Sequence, residues 1–200
     1  MSSTGIILAG GHSSRMGENK ALLKIGGKTV IERIADQLSS ILPNVIIVAN
    51  KQEDYQFLGL PIVSDRWKEK GPLAGIHAGL SESRTQKNLI VACDMPFISG
   101  ELARLLLEQL DQHQASVTEI GGQLHPLFAA YRKDAKDAAE LALRENKLRI
   151  RQFLQEIDSR IIKDEELKNM GFLYKDAHLF NMNRPDEYRQ ALKLAEDASK

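Results

Sequence analysis

Six short apolar runs rich in β-forming residues recur along the chain, at residues 5–9, 45–49, 61–64, 89–93, 116–120 and 125–131. Runs of that length suit buried strands. Between several of them apolar residues return with helical spacing. In residues 29–42 these are Ile31, Ile34, Ala35, Leu38, Ile41 and Leu42, one face of a helix. Thr29 and Glu32 form a capping-box pair at its start, and Pro43 and Asn44 end it. Pro72, directly after Gly71, suits the first position of a helix over 72–83. Ser99 suits the cap of a helix over 99–112, which carries Leu102, Leu105, Leu106 and Leu110. Such alternation predicts an α/β fold, a mostly parallel sheet with helices on both faces. Gly121-Gly122 stands between two strand-like runs, a hairpin signal that makes the later sheet mixed. Residues 133–145 and 148–157 read as helices, 161–162 and 178–182 as short strands, and 185–197 as a closing helix. No linker long enough to separate domains is visible, so residues 1–200 are expected to form one domain.

Composition removes whole classes of function. The chain is 42% hydrophobic and 27% charged, which excludes a disordered chain, a fibre and a small disulfide scaffold. Lys+Arg and Asp+Glu both number 27, and neither half of the chain is strongly basic, which argues against general nucleic-acid binding. Cys93 is the single cysteine, so no intrachain disulfide can form. No apolar run approaches the ~20 residues of a membrane span. No basic residue precedes the short apolar run near the N-terminus, unlike a secretory signal. The expectation is a cytoplasmic protein that does not engage a membrane.

In open parallel sheets ligands bind beyond the carboxyl ends of the strands, so the chemistry is sought there. After the first run comes Leu8-Ala9-Gly10-Gly11-His12-Ser13-Ser14-Arg15-Met16-Gly17-Glu18-Asn19-Lys20. Glycines let backbone amides face an anion at short range, and Arg15 and Lys20 add two positive charges suited to a polyphosphate. It is not a Walker A loop: Gly27-Lys28-Thr29 ends like one, but Leu22 occupies the place of its first glycine. The dinucleotide fingerprint is missing too, because His12 stands where its second glycine belongs. After the run at 89–93 comes Asp94-Met95-Pro96, a carboxylate that either caps a turn or holds Mg²⁺ beside substrate phosphates; next to a phosphate loop on the same sheet edge, the metal is favoured. Asn50 and Asp65 follow two other runs, as turn residues or as hydrogen-bonding partners of a ribose or base. Gly71-Pro72-Leu73-Ala74-Gly75 opens a helix whose N-terminus favours anions, while its small residues also permit close packing. Asn181-Met182-Asn183 ends a late run. The five histidines lack zinc-ligand spacing, and no Cys/His pair or G-x-S-x-G elbow supplies a nucleophile.

Leu8-Ala9-Gly10-Gly11, Arg15-Met16-Gly17 and Lys20 together resemble the signature loop of the small nucleotidyltransferases with a Rossmann-like, three-layer fold. Cys93-Asp94-Met95-Pro96 resembles their metal-binding strand end. Gly71-Pro72-Leu73-Ala74-Gly75, His125-Pro126-Leu127-Phe128 and Asn181-Met182-Asn183-Arg184-Pro185 narrow the likeness to the molybdenum cofactor guanylyltransferases, over about residues 4–190. That family transfers GMP from GTP to the phosphate of molybdopterin and releases pyrophosphate. The resemblance implies that Leu8, Ala9, Gly10, Gly11, Asn50, Asp65, Gly71 and Pro72 form the nucleotide site. It implies that Arg15 and Lys20 meet the triphosphate and that Asp94 is the Mg²⁺ ligand. It sets His125, Asn181 and Asn183 near the second substrate. A cofactor-delivery protein or a molybdoenzyme is a further expected partner on the same ground. The sister cytidylyltransferases, which use CTP, share loop, fold and metal site, but their loop typically reads Leu-Ala-Ala-Gly; glycine at position 10 is the guanylyl form. A regulatory module that binds nucleotide without turnover is the alternative of another class, and it would have no use for Asp94 beside Arg15 and Lys20.

Overall fold

The computed structural model describes residues 2–10 and 19–197. Strand β1 (Ser3–Leu8) is followed, after the undescribed segment, by a 3-10 turn at Lys20–Leu22 and a small antiparallel ribbon, β2 (Lys24–Ile25) and β3 (Lys28–Thr29). Helix α1 (Val30–Ser39) then starts at the expected capping box: the Glu32 amide donates to Thr29 Oγ1 (3.3 Å) and the Thr29 amide to Glu32 Oε2 (2.7 Å). The chain continues through β4 (Asn44–Val48), a 3-10 helix at Gln52–Leu58, β5 (Ile62–Val63), α2 (Pro72–Glu82), β6 (Lys87–Ala92) and α3 (Gly100–Leu110). Ser99 Oγ caps α3 by accepting from the Leu102 amide at 3.2 Å. Then come β7 (Ala115–Ile120), β8 (Gln123–Leu124), β9 (Phe128–Arg132), α4 (Ala135–Arg144), α5 (Ile150–Glu156), β10 (Ser159–Lys163), α6 (Asp164–Asn169) and α7 (Pro185–Asp197).

Among the described residues the main sheet runs β10-β7-β9-β6-β1-β4-β5, with β8 hairpinned onto β7 across Gly121-Gly122. β6, β1, β4 and β5 pair in parallel, and the antiparallel β9 makes the sheet mixed as expected. Two apolar layers flank it. On one face Ile7, Ile47 and Val91 meet Ile31, Ile34 and Leu38 of α1 and Leu102 and Leu106 of α3. On the other, Ile6, Val48 and Ile90 meet Leu73, Ile76 and Leu80 of α2, with α4 and α5 beyond. Near-continuous apolar strands are what a sheet covered on both faces requires.

The structure corrects several boundaries. Residues 178–182 form no strand: a 3-10 turn at Asp176–Leu179 takes their place, and the Met182 amide donates to Asp94 O (2.9 Å) instead of joining a ladder. The run at 125–131 enters the sheet only at Phe128, because Pro126 has no amide to donate and the Phe128 amide closes a turn onto His125 O (3.2 Å). The run at 61–64 pairs over two residues only, at the sheet edge where Pro61 is tolerated. Cys93 lies just past β6 rather than within it.

The small residues of α2 let it lie directly on β1. A Cβ on Gly79 would collide with Ile6 Cγ2 and stand 3.3 Å from Val48 Cγ2. Ile6 is fully buried and cannot swing away. Gly79→Ala would gain about 1 kcal/mol of helix propensity. Overpacking typically costs ~1–3 kcal/mol, occasionally more, and against so rigid a neighbour it wins. A net loss of about 1–2 kcal/mol is expected by urea unfolding. Gly75→Ala, which faces the end of the half-buried Leu8 side chain at 3.2 Å, should be nearly neutral, and equal effects at both positions would refute this packing argument.

Candidate active site

From β1 the chain steps outward to β4 and β5, and α2 then carries it back to β6 on the other side of β1. The order of strands therefore reverses between β1 and β6, and a crevice opens beyond their carboxyl ends. An open cavity of about 150 Å³ occupies this place. Leu8 and Gly10 line it from β1, Ala49 and Asn50 from β4, Asp65 from β5, Ala92, Cys93 and Asp94 from β6, and Gly71, Pro72 and Gly75 from the start of α2. Four separate strand ends and a helix start, all expected from sequence, thus converge on one cavity. Gly71 holds φ +70° at the cap of α2, a conformation that suits glycine.

Ala9, buried between Leu8 and Gly10, is not itself among the residues that line the cavity. Its amide donates to Val48 O (2.8 Å), and its carbonyl accepts from the Tyr55 hydroxyl (3.1 Å). Asn50 Nδ2 donates to Asp65 Oδ2 at 3.4 Å, while Asp65 Oδ1 is shielded from solvent and has no hydrogen-bond partner among the described residues. A buried carboxylate oxygen without a donor is costly unless a ligand supplies one. Burial above all holds the Asp94 carboxyl above its ordinary value; the nearby Lys20 charge pulls it down and Glu187 pushes it up. The adjoining Cys93 thiol is pushed up to about 12, by burial first and by Asp94 second, so it is no thiolate nucleophile.

A second, more polar cleft of about 440 Å³ adjoins this edge. His125, Asn181 and Asn183, expected near a second substrate, all line it, with Gln123, Tyr174 and Glu187. Burial holds the His125 imidazole below its ordinary value and favours the neutral ring. Two contacts join the cleft to the first cavity: the Met182 amide donates to Asp94 O, and Lys20 Nζ donates to Asn183 Oδ1 at 3.1 Å. Gly11 and Arg15 lie outside the described residues.

Two neighbours of these residues escaped sequence reasoning. Tyr55 sits in a stretch without apolar periodicity, and nothing local marks it. Glu187 was legible in part: it stands three residues after Arg184 at the start of α7, half of a capping box, and its Oε2 accepts the amides of Asn183 and Arg184.

Comparison with known proteins fits this geometry. The family model of the MobA-like NTP transferase domain matches residues 5–161. A protein of Pelotomaculum thermopropionicum named "probable molybdenum cofactor guanylyltransferase" is 39% identical over 198 residues, 99% of this chain and 96% of its own. A protein of the same name from Carboxydothermus hydrogenoformans is 40% identical over 190 residues, 94% of each chain. The crystal structure of molybdopterin-guanine dinucleotide biosynthesis protein A from Archaeoglobus fulgidus shares the fold, with a TM-score of 0.81, 24% identity and coverage of 97% of this chain and 99% of that one. With the strand-end cavity, the paired polar cleft and a family match over most of its length, this chain belongs to the MobA-like NTP transferase family.

Proposed function

We propose that the chain transfers GMP from GTP to the terminal phosphate of molybdopterin, releasing pyrophosphate, and that it acts as a single domain in the cytoplasm. The observation that carries this reading is the meeting of two cavities at Asp94, Lys20 and Asn183, as joining two substrates requires. The nucleotide takes the first cavity, its base and ribose against Leu8, Gly10, Asn50, Asp65, Gly71 and Pro72. The pterin takes the second, beside His125, Asn181 and Asn183.

The acceptor phosphate is already an anion near neutral pH, so no general base is needed. One of its oxygens attacks the α-phosphorus in line; the new P–O bond forms as the bond to the β-phosphate oxygen breaks, and pyrophosphate leaves with the electron pair. What the chain must supply is alignment and positive charge. Lys20 and Arg15 provide charge along the triphosphate. Asp94 fits Mg²⁺ by its donor chemistry: an oxygen ligand, lining the cavity at a buried strand end. Among the described residues no cluster of three or more His, Cys, Asp or Glu side chains could hold a metal. Mg²⁺ commonly takes one or two carboxylates and completes its shell with substrate phosphates and water. Bound there, Mg²⁺ would neutralise phosphate charge.

Asp65 supports guanine over cytosine. Its orphaned oxygen is an acceptor, and the pairing edge of guanine presents two neighbouring donors, N1–H and N2–H₂, where cytosine presents one. Calorimetric titration with GTP, CTP, ATP and UTP, each with Mg²⁺, should give a clear preference for GTP. Asp65→Ala should shrink that preference by about 10²-fold, because a site built to hydrogen-bond a donor discriminates strongly through it. A preference for CTP would transfer the chain to the cytidylyl reading.

A further inference from the structure

The Tyr55 hydroxyl gathers two segments distant in sequence. Tyr55 is 2% exposed, and its ring packs in the core on the 3-10 helix at Gln52–Leu58. Asn19 Nδ2 donates to the hydroxyl at 2.9 Å, and the hydroxyl donates to Ala9 O at 3.1 Å. The directions are forced, since an amide nitrogen only donates and a carbonyl only accepts. The other end of the Asn19 amide is engaged as well: Oδ1 accepts the Ala21 amide at 3.2 Å and caps the 3-10 turn that carries Lys20. Packing alone would be served equally by phenylalanine. What the hydroxyl adds is a link between the end of β1, whose neighbours Leu8 and Gly10 line the first cavity, and the turn that presents Lys20. We propose that Tyr55 is a positioning residue, which fixes the Lys20 turn against the carboxyl end of β1 and so aims Lys20 at the triphosphate; this rests on the reading of Lys20 given above. Burial pushes the hydroxyl up to about 12, so it keeps its proton, and its role as donor, across the neutral range.

The test measures Mg²⁺·GTP affinity by calorimetry, well below the melting temperature. Tyr55→Phe keeps the ring and removes the hydroxyl. Affinity should fall about tenfold, the scale of one buried hydrogen bond. In a Lys20→Ala background the same substitution should change affinity by less than about twofold, since nothing is left to aim. Asn19→Ser keeps a capping oxygen but cannot reach Tyr55; it should reproduce the loss and serves as the probe if Tyr55→Phe does not fold. Unchanged affinity in Tyr55→Phe, with affinity lost in Lys20→Ala, overturns the proposal and leaves the reading of Lys20 standing. An equal loss in both backgrounds assigns Tyr55 to general packing and also overturns it. Wild-type affinity in Lys20→Ala removes the reading of Lys20 itself, and the proposal with it.

Discussion

Asp94→Asn is expected to lower turnover by about 10²-fold or more, the scale of one preorganised electrostatic group, while leaving the melting temperature unchanged or raised. The two effects have opposite signs for one reason. Burial and, to a smaller extent, Glu187 penalise the Asp94 carboxylate, and among the described residues the charge of Lys20 and a backbone hydrogen bond offset part of that penalty. A neutral amide of the same shape relieves it. The fold around the residue should not notice, because its tie to the closing segment is made by the Asp94 carbonyl, which accepts the Met182 amide at 2.9 Å whatever the side chain. A charge kept where it costs stability marks a residue retained for chemistry. Turnover near wild type at saturating Mg²⁺ would remove Asp94 from the mechanism. A large fall in melting temperature would return it to the role of a turn cap.

How much of this was legible depended on whether the cause was local. The capping box at Thr29 and Glu32, the cap at Ser99, the Gly121-Gly122 hairpin and the closing helix at 185–197 are set by neighbours in sequence, and all stand where the pattern put them. The strand ends were legible because short apolar runs point to buried strands, and the alternation with helices makes their carboxyl ends share an edge. Residues 178–182 failed because an apolar run does not say whether a partner strand waits for it; here none does, and Asp94 takes the amide that a ladder would have used. Tyr55 and the polar cleft depend on contacts between residues far apart in sequence, which no window of sequence contains.

Lys20→Ala is expected to lower kcat/KM for GTP by about 10²-fold, again the scale of one electrostatic contact to a developing charge. The bland alternative is that Lys20 is a surface lysine holding Asn183. Magnitudes separate the two. The Lys20–Asn183 hydrogen bond is exposed, and losing such a contact seldom moves stability beyond about 0.5 kcal/mol. A structural lysine would thus leave both melting temperature and kinetics almost untouched. A lysine that meets the triphosphate would leave only the melting temperature untouched. Lys20→Arg sharpens the comparison: it keeps the charge but replaces a compact ammonium on a flexible stem by a wide planar fork. It should restore part of the loss, and full activity in Lys20→Ala would return Lys20 to the role of a surface lysine. The substitution also tests the link between the two cavities. With Lys20 gone, Asn183 loses its only described tie to the nucleotide side, while Glu187 still holds its amide. KM for the pterin should therefore change far less than KM for GTP, and a reversed order would move Lys20 from the triphosphate to the acceptor.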